Sequence, residues 1–499
     1  MSKKNRTRRA ASGQQAQARR QAGTTAVDRT LNGLWQAVAA GDPLAAELAA
    51  AECLALPRLA ELDDEQGEEF ITQVLVNQAS QQASPEGAAV LRLLAALGSR
   101  VIKNEARAGL ADLTGRGVYP QAWVSEVGKP DAVRAWRRYS VFGDHEAIAI
   151  TFRYGEAEHG LLIQVDRAGM PLVTRVSVAT DPDALTELIT KTGTFEGSEE
   201  ISLAEARQRL AQPVGEGVAD TQLTTNVPAE SVIFLPLARS RMRRLPEPAD
   251  APRFGPADRA AAVQDFLASP LAAEAIAADA DSARFWAEVL TAYSGRVPDE
   301  PPGQVGPRKL AFILLGHVPA SYDLTPAQRQ HLEQTVTAWV RWSAAQRGLG
   351  EAETTELTEA VTGMLGDFDD AYATPDIAFN RAYLRDLAAS DTDPATLNAH
   401  LTRRWFAVPW PGSASTAGDV GDPATRRRLV QEEFGDCTPP TGMTSDELVS
   451  AAQRVVEEIW SGDPAGRYAT AEQLMRDGHD RHEIIHRLVQ DTQLAQPRS

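Results

Sequence analysis

The stretch HEAIAITFRYGEAEHGLLIQVD, residues 145–166, decides the fold class. Ile148, Ile150, Phe152 and Tyr154 occupy alternate positions, so a strand would carry all four on one face. GEAE (155–158) supplies a turn, and Leu161, Ile163 and Val165 then alternate in the same way. RAGMP (167–171) supplies a second turn, and LVTRVSV (172–178) aligns Leu172, Thr174, Val176 and Val178. Three alternating runs joined by short turns predict a three-stranded antiparallel meander with one face on a core and the other toward water. Two helices are expected to cover it. One runs from Pro182 to Thr192 and stops at Gly193; the other starts at Ser202, where S-L-A-E places Glu205 to complete a capping box.

Outward from this unit the periodicity turns helical. Leu31, Leu34, Trp35 and Val38, and later Val90, Leu91, Leu94 and Leu97, recur at helical spacing, with breaks at GDP (41–43) and ASPEG (83–87). On the far side, T-P-A-Q from Thr325 to Gln328 announces a helix whose stripe is Leu332, Val336, Trp339, Val340 and Ser343 and which ends at Gly348. Leu357, Val361, Met364, Leu365 and Phe368 mark the next. VPWPGSASTAGDVGDP (408–423) has the composition of a linker. Beyond it, Thr444 and Glu447 cap a helix ending near Trp460, and two shorter helices follow. The fold class is therefore mainly α, of the α+β kind. The expected organisation is a disordered basic tail (1–27), a helical segment (28–115), an α+β meander domain (116–215), a helical domain (228–407), the linker, and a C-terminal helical module (424–493).

The 499 residues carry a formal charge of −18, unevenly placed. Lys3, Lys4, Arg6, Arg8, Arg9, Arg19 and Arg20 precede the first acid, Asp28, so the tail holds seven positive charges and the rest of the chain −25. An acidic body repels nucleic acid and anionic membranes. Weak, salt-sensitive nucleic-acid contact is expected through residues 1–27 alone. Two cysteines, Cys53 and Cys437, are too few for a disulfide scaffold or a cysteine-rich zinc site and imply a reducing compartment. The basic start lacks a following apolar region, which argues against a signal peptide. No apolar run approaches the ~20 residues of a membrane span. The expectation is a cytoplasmic protein without membrane contact.

The one recognisable chemical motif is HEIIH, His482–His486, which matches the H-E-x-x-H of zinc peptidases. In that reading His482 and His486 ligate the metal and Glu483 activates water. Three features oppose it. Only 13 residues follow His486, which leaves no room for the usual third-ligand helix. Asp480 and Glu483 form a D-x-x-E start in which the glutamate serves the helix cap. The motif also sits in a small module behind a linker. Two boundary histidines on a capped helix are the preferred reading; a metal held through His479, His482 and His486 is a further one. A helix-turn-helix at 471–488 is disfavoured because Asp477, Asp480 and Glu483 offset Arg476, Arg481 and Arg487.

Other clusters read as structural. Arg239, Arg241, Arg243 and Arg244 are expected on a solvated helix face, and Asp367, Asp369 and Asp370 on an acidic one. His145 and His159, with Asp144, Glu146 and Glu158 nearby, read as strand-end residues, the alternative being that a meander brings them together for acid–base work. No G-x-S-x-G, Walker A or dinucleotide fingerprint occurs. No catalytic, cofactor-binding or metal residue is assigned, and the expected role is a non-catalytic interaction or regulatory protein with a protein partner. The alternatives are the zinc-dependent hydrolase and the nucleic-acid-binding tail.

Three stretches, GDHEAIAITFRYGEAEHGLLIQVD (143–166), GPRKLAFILLGHVPASYDLTPAQRQHLEQTVTAWVRWSAAQRGL (306–349) and LMRDGHDRHEIIHRL (474–488), resemble a family of uncharacterised proteins of high-GC actinobacteria. The resemblance covers roughly residues 110–490. It implies no assigned activity and no catalytic residue, and a closing R-H-E-x-x-H helix without peptidase context.

Overall fold

The computed structural model describes residues 27–60, 62, 64–169, 171–214, 228–248, 254–294, 300–374, 381, 403–404, 406–407, 422–435, 437, 439–440, 443–462, 465–476 and 481–494. The basic tail (1–26) and most of the linker (408–421) lie outside these residues. The chain forms two compact units. One takes Met1–Ser269, Ala287–Lys309 and Val340–Thr355; the other takes Pro270–Trp286, Leu310–Trp339 and Glu356–Ser499.

In the first unit, residues 27–40 are helical and end at Gly41, whose φ of 78° suits a residue without Cβ. Asp42 then caps α1 (Pro43–Leu59), its carboxylate accepting from the Ala45 amide at 2.9 Å. Ser84 caps α2 (Pro85–Leu97), and Ser99 caps α3 (Arg100–Gly115). These helices approach closely because their contacts are small: Ala46, Ala50, Ala51, Ala79, Ala88 and Ala89 are fully buried. Both expected breaks, GDP and ASPEG, are N-caps followed by proline in the first turn.

The sheet has five antiparallel strands, where the sequence pattern predicts three. They are β1 (Asp131–Ser140), β2 (His145–Tyr154), β3 (Ala157–Asp166), β4 (Leu172–Ala179) and β5 (Glu196–Ile201), in the order β4-β3-β2-β1-β5. The three expected strands are β2, β3 and β4. The two others lack a readable alternation. β1 carries arginines at Arg134, Arg137 and Arg138, and a bulge between Ala132 and Arg134 breaks its period. β5 is EGSEEI, in which only Ile201 is buried. It is an edge strand whose glutamates discourage pairing with a further strand.

The second face of the sheet is not wet either. α4 (Pro182–Thr190) lays Leu185 and Ile189 on it, against Trp136, Ala147, Ala149 and Leu162. The opposite face, with Ile148, Ile150, Phe152, Leu161, Ile163 and Val165, packs on α5 (Leu203–Val214) and α6 (Leu235–Met242). Ser202 caps α5 as expected, accepting from the Glu205 amide at 3.1 Å.

In the second unit Thr325 and Gln328 form the expected reciprocal capping box, but the helix it starts, Pro326–Gln330, is short: the chain leaves helical geometry at His331, and the apolar stripe belongs to a separate helix, Leu332–Gln346, where the sequence predicts one long helix. The helix Glu351–Ala373 buries Leu357, Val361 and Phe368. Toward the C-terminus stand α7 (Pro423–Phe434), α8 (Ser445–Ser461), α9 (Ala465–Arg476) and α10 (Arg481–Leu494). Thr444 and Glu447 box the start of α8, and Gly462, at φ 79°, ends it. Val430, Phe434, Val456 and Ile459 meet Ile484, Ile485, Leu488 and Val489 in one core. Among the described residues no helix is long and apolar enough to cross a membrane.

Candidate functional site

The apolar stripe of α10 fixes the positions of its histidines. With Ile484, Ile485, Leu488 and Val489 fully buried, residues 482 and 486 stand together at the edge of the stripe, one helical turn apart. Their imidazoles are 5.0 Å apart between ring centroids. Phe434, the last residue of α7, stacks on His482 at 4.5 Å and 12° and touches His486 at 5.4 Å. The chain turns at Gly435 and brings Cys437 over the same spot. Its Sγ lies 3.5 Å from His482 Nε2. One donor atom from each of Cys437, His482 and His486 falls within 4.8 Å of the others.

A carboxylate orients this group from behind. Glu433 Oε1 stands 3.3 Å from His482 Nδ1. Arg481 Nη1 donates to both oxygens of the same carboxylate, at 2.5 and 2.7 Å. Arg481 also donates to the carbonyls of Phe406 and Ala407. It is therefore committed to structure and does not face outward as a DNA-reading residue would. Burial, with the neighbouring His482 second, holds the His486 imidazole below its ordinary value against the opposing pull of Glu433, and so favours its neutral, lone-pair-bearing form.

Glu483 takes no part in this grouping. Its carboxylate is nearly half exposed and accepts from Arg487 at 2.9 Å, one turn along α10. His479 and Asp480 lie outside the described residues, as does the D-x-x-E cap built on them. Cys437 is what sequence reasoning missed. Forty-five residues separate it from His482, and only the packing of α7 on α10 joins them.

The remaining candidates separate. His145 and His159 are not a pair: the register sets His145 opposite Asp166 and His159 opposite Phe152, toward opposite ends of β2. The intervening seven residues of strand span roughly 23 Å. His145 instead faces Glu196 at 3.5 Å. His159 is buried, where its own burial and the neighbouring Arg241 push it down to about 3. Its Nε2 accepts from Arg241 Nε at 3.2 Å.

Arg241 overturns the expectation of a solvated arginine face. It is fully buried and donates through Nη2 to Glu47 at 2.5 Å. Glu47 also accepts from the Gly128 amide at 2.6 Å and the Tyr154 hydroxyl at 2.8 Å. The network ties α1, α6, β2 and β3 together. Arg243 and Arg244 are the exposed members of the group. Asp367, Asp369 and Asp370 are exposed as expected, and Asp369 pairs with Arg329.

A second charged cluster surrounds Glu146, which is buried and contacts Arg137, Arg167 and Arg209. Burial alone would raise its carboxyl, but the three guanidinium groups together hold it below its ordinary value. Glu199 pairs with Arg137 and Glu205 with Arg209, so three acids balance three bases and no surplus charge remains to attract a polyanion.

The chain matches no family model, no curated protein and no solved structure.

Proposed function

We propose that this is a non-catalytic interaction or regulatory protein, with its C-terminal helical module as a candidate contact surface. The observation that carries this reading is the disposition of Glu483. In a zinc peptidase the glutamate of H-E-x-x-H takes a proton from the metal-bound water. Here that carboxylate is engaged by Arg487 on the solvent side of α10. The buried carboxylates Glu47 and Glu146 are likewise saturated by arginine partners and serve packing.

Two measurements test the reading. Full-length protein supplied with Zn2+ is expected to hydrolyse a mixed peptide library no faster than buffer does. Hydrolysis that falls on Glu483→Gln would establish the peptidase instead. Co-purification from lysate, by the full chain and by a chain ending before Pro423, is expected to lose a partner on truncation. An unchanged partner set counts against the C-terminal module as the contact surface.

A further inference from the structure

We propose that Cys437, His482 and His486 form a binding site for a soft divalent metal, with Zn2+ as the natural occupant. The site goes beyond the function proposed above and does not depend on it.

The donor set is the first argument. One thiolate and two imidazoles are the ligand types that bind Zn2+, and three such protein ligands leave one position of a tetrahedron for water or another donor. No carboxylate belongs to the set, which disfavours Mg2+ and Ca2+.

Distance is the second. Bonds of ~2.3 Å to sulfur and ~2.05 Å to nitrogen, opened at the tetrahedral angle, place the two donor atoms about 3.6 Å apart. Cys437 Sγ and His482 Nε2 are 3.5 Å apart. All three donors lie within 4.8 Å, so a small rotation of the His486 side chain closes the set.

The surroundings are the third. A metal-bound histidine usually donates its other ring nitrogen to a carboxylate, which fixes the tautomer and aims the lone pair. Glu433 occupies that place on His482 Nδ1, and its own position is fixed by Arg481 Nη1, which donates to both of its oxygens. Phe434 stacks against one imidazole and touches the other, closing one side of the site. His482 is itself 41% exposed, which gives an ion a way in. The i, i+4 spacing on α10 is thus the spacing that zinc peptidases use, joined to a thiolate where they use a downstream ligand. A metal here would clip the turn after α7 onto α10. Among the described residues, the nearby carboxylates are both engaged by arginines, Glu483 by Arg487 and Glu433 by Arg481.

The test uses untagged full-length protein, stripped with chelator and titrated with Co2+ as an optical stand-in for Zn2+. The expected result is about one Co2+ per chain, with the intense visible bands of a tetrahedral ion and a near-ultraviolet thiolate-to-cobalt band, all displaced by Zn2+. Cys437→Ser removes the thiolate band, and Cys53→Ala leaves it intact. His482→Gln and His486→Gln each weaken binding at least about 10-fold, while Glu433→Gln keeps the band and weakens binding about 10- to 100-fold. Circular dichroism confirms that each variant keeps its helix. Failure to bind Co2+ or Zn2+ at micromolar concentration overturns the proposal, as does a thiolate band that survives Cys437→Ser or binding indifferent to both histidine substitutions. None of these outcomes alters the hydrolysis test of the preceding section, so the two readings fail separately.

Discussion

Replacing Arg241 with Met isolates the energetics of the first unit. Arg241 and Glu47 are both essentially without solvent exposure, so the substitution leaves a carboxylate buried without its counter-ion. Breaking a buried pair from one side costs ~3–5 kcal/mol. Two features pull the figure toward the low end. Glu47 keeps its bonds from the Gly128 amide and the Tyr154 hydroxyl, and among the described residues no group accepts from Arg241 Nη1. His159 Nε2 loses its donor, which adds ~1 kcal/mol. The expected loss is about 3–4 kcal/mol, or roughly 6–8 °C in melting temperature for a unit of this size. Adding Glu47→Gln removes the uncompensated charge, so the double variant is expected to lose only ~1–2 kcal/mol. Urea unfolding and calorimetry of wild type, both single variants and the double variant measure the cycle. A loss below ~1 kcal/mol for Arg241→Met, or a double variant no more stable than Arg241→Met, refutes this account of the network.

Four further outcomes are expected. Glu146 has a carboxyl held below its ordinary value of 4.5 in the folded chain, so its stabilisation is full above that value and is lost as pH falls through the lower folded one. The stability difference between wild type and Glu146→Gln should therefore narrow on acidification below about pH 4 and stay constant from pH 5 to 8; a constant difference throughout contradicts the assignment. Gly87→Ala drives a Cβ into the Ala79 carbonyl oxygen and should destabilise by ~1–3 kcal/mol. Gly363→Ala, an exposed helix position with no heavy atom within 4 Å of the added carbon, should stabilise by ~0.5–1 kcal/mol; urea titration reads both signs. Binding of single-stranded RNA by the full chain should be weak, fall steeply between ~50 and ~200 mM salt, and vanish when the chain starts at Asp28; equal binding by the shortened chain removes the tail from consideration.

Helix caps and the strands β2, β3 and β4 were legible because each is a local signal. Ser202 and Thr444 cap the helices that their spacing announces, Thr325 caps only the short first part of its own, and Ser84 stands at an expected break. The strands β1 and β5 were not, because burial on a two-sided sheet, a bulge and an acidic edge erase alternation. The same limit applies to side chains. Arg241 reads as one more surface arginine until α6 carries it against Glu47, almost two hundred positions earlier. His145 and His159 are close in sequence, and the strand register separates them. At α10 the spacing of His482 and His486 was plain, whereas the cysteine grouped with them comes from a turn after another helix, and no pattern within α10 signals it.

The most direct measurement is the X-ray absorption spectrum at the zinc edge of the untagged, zinc-loaded chain. The account predicts one sulfur at ~2.3 Å together with nitrogen donors at ~2.0–2.1 Å, the sulfur shell disappearing in Cys437→Ser. A first shell of nitrogen and oxygen alone, unchanged by that substitution, would contradict it and remove Cys437 from the site.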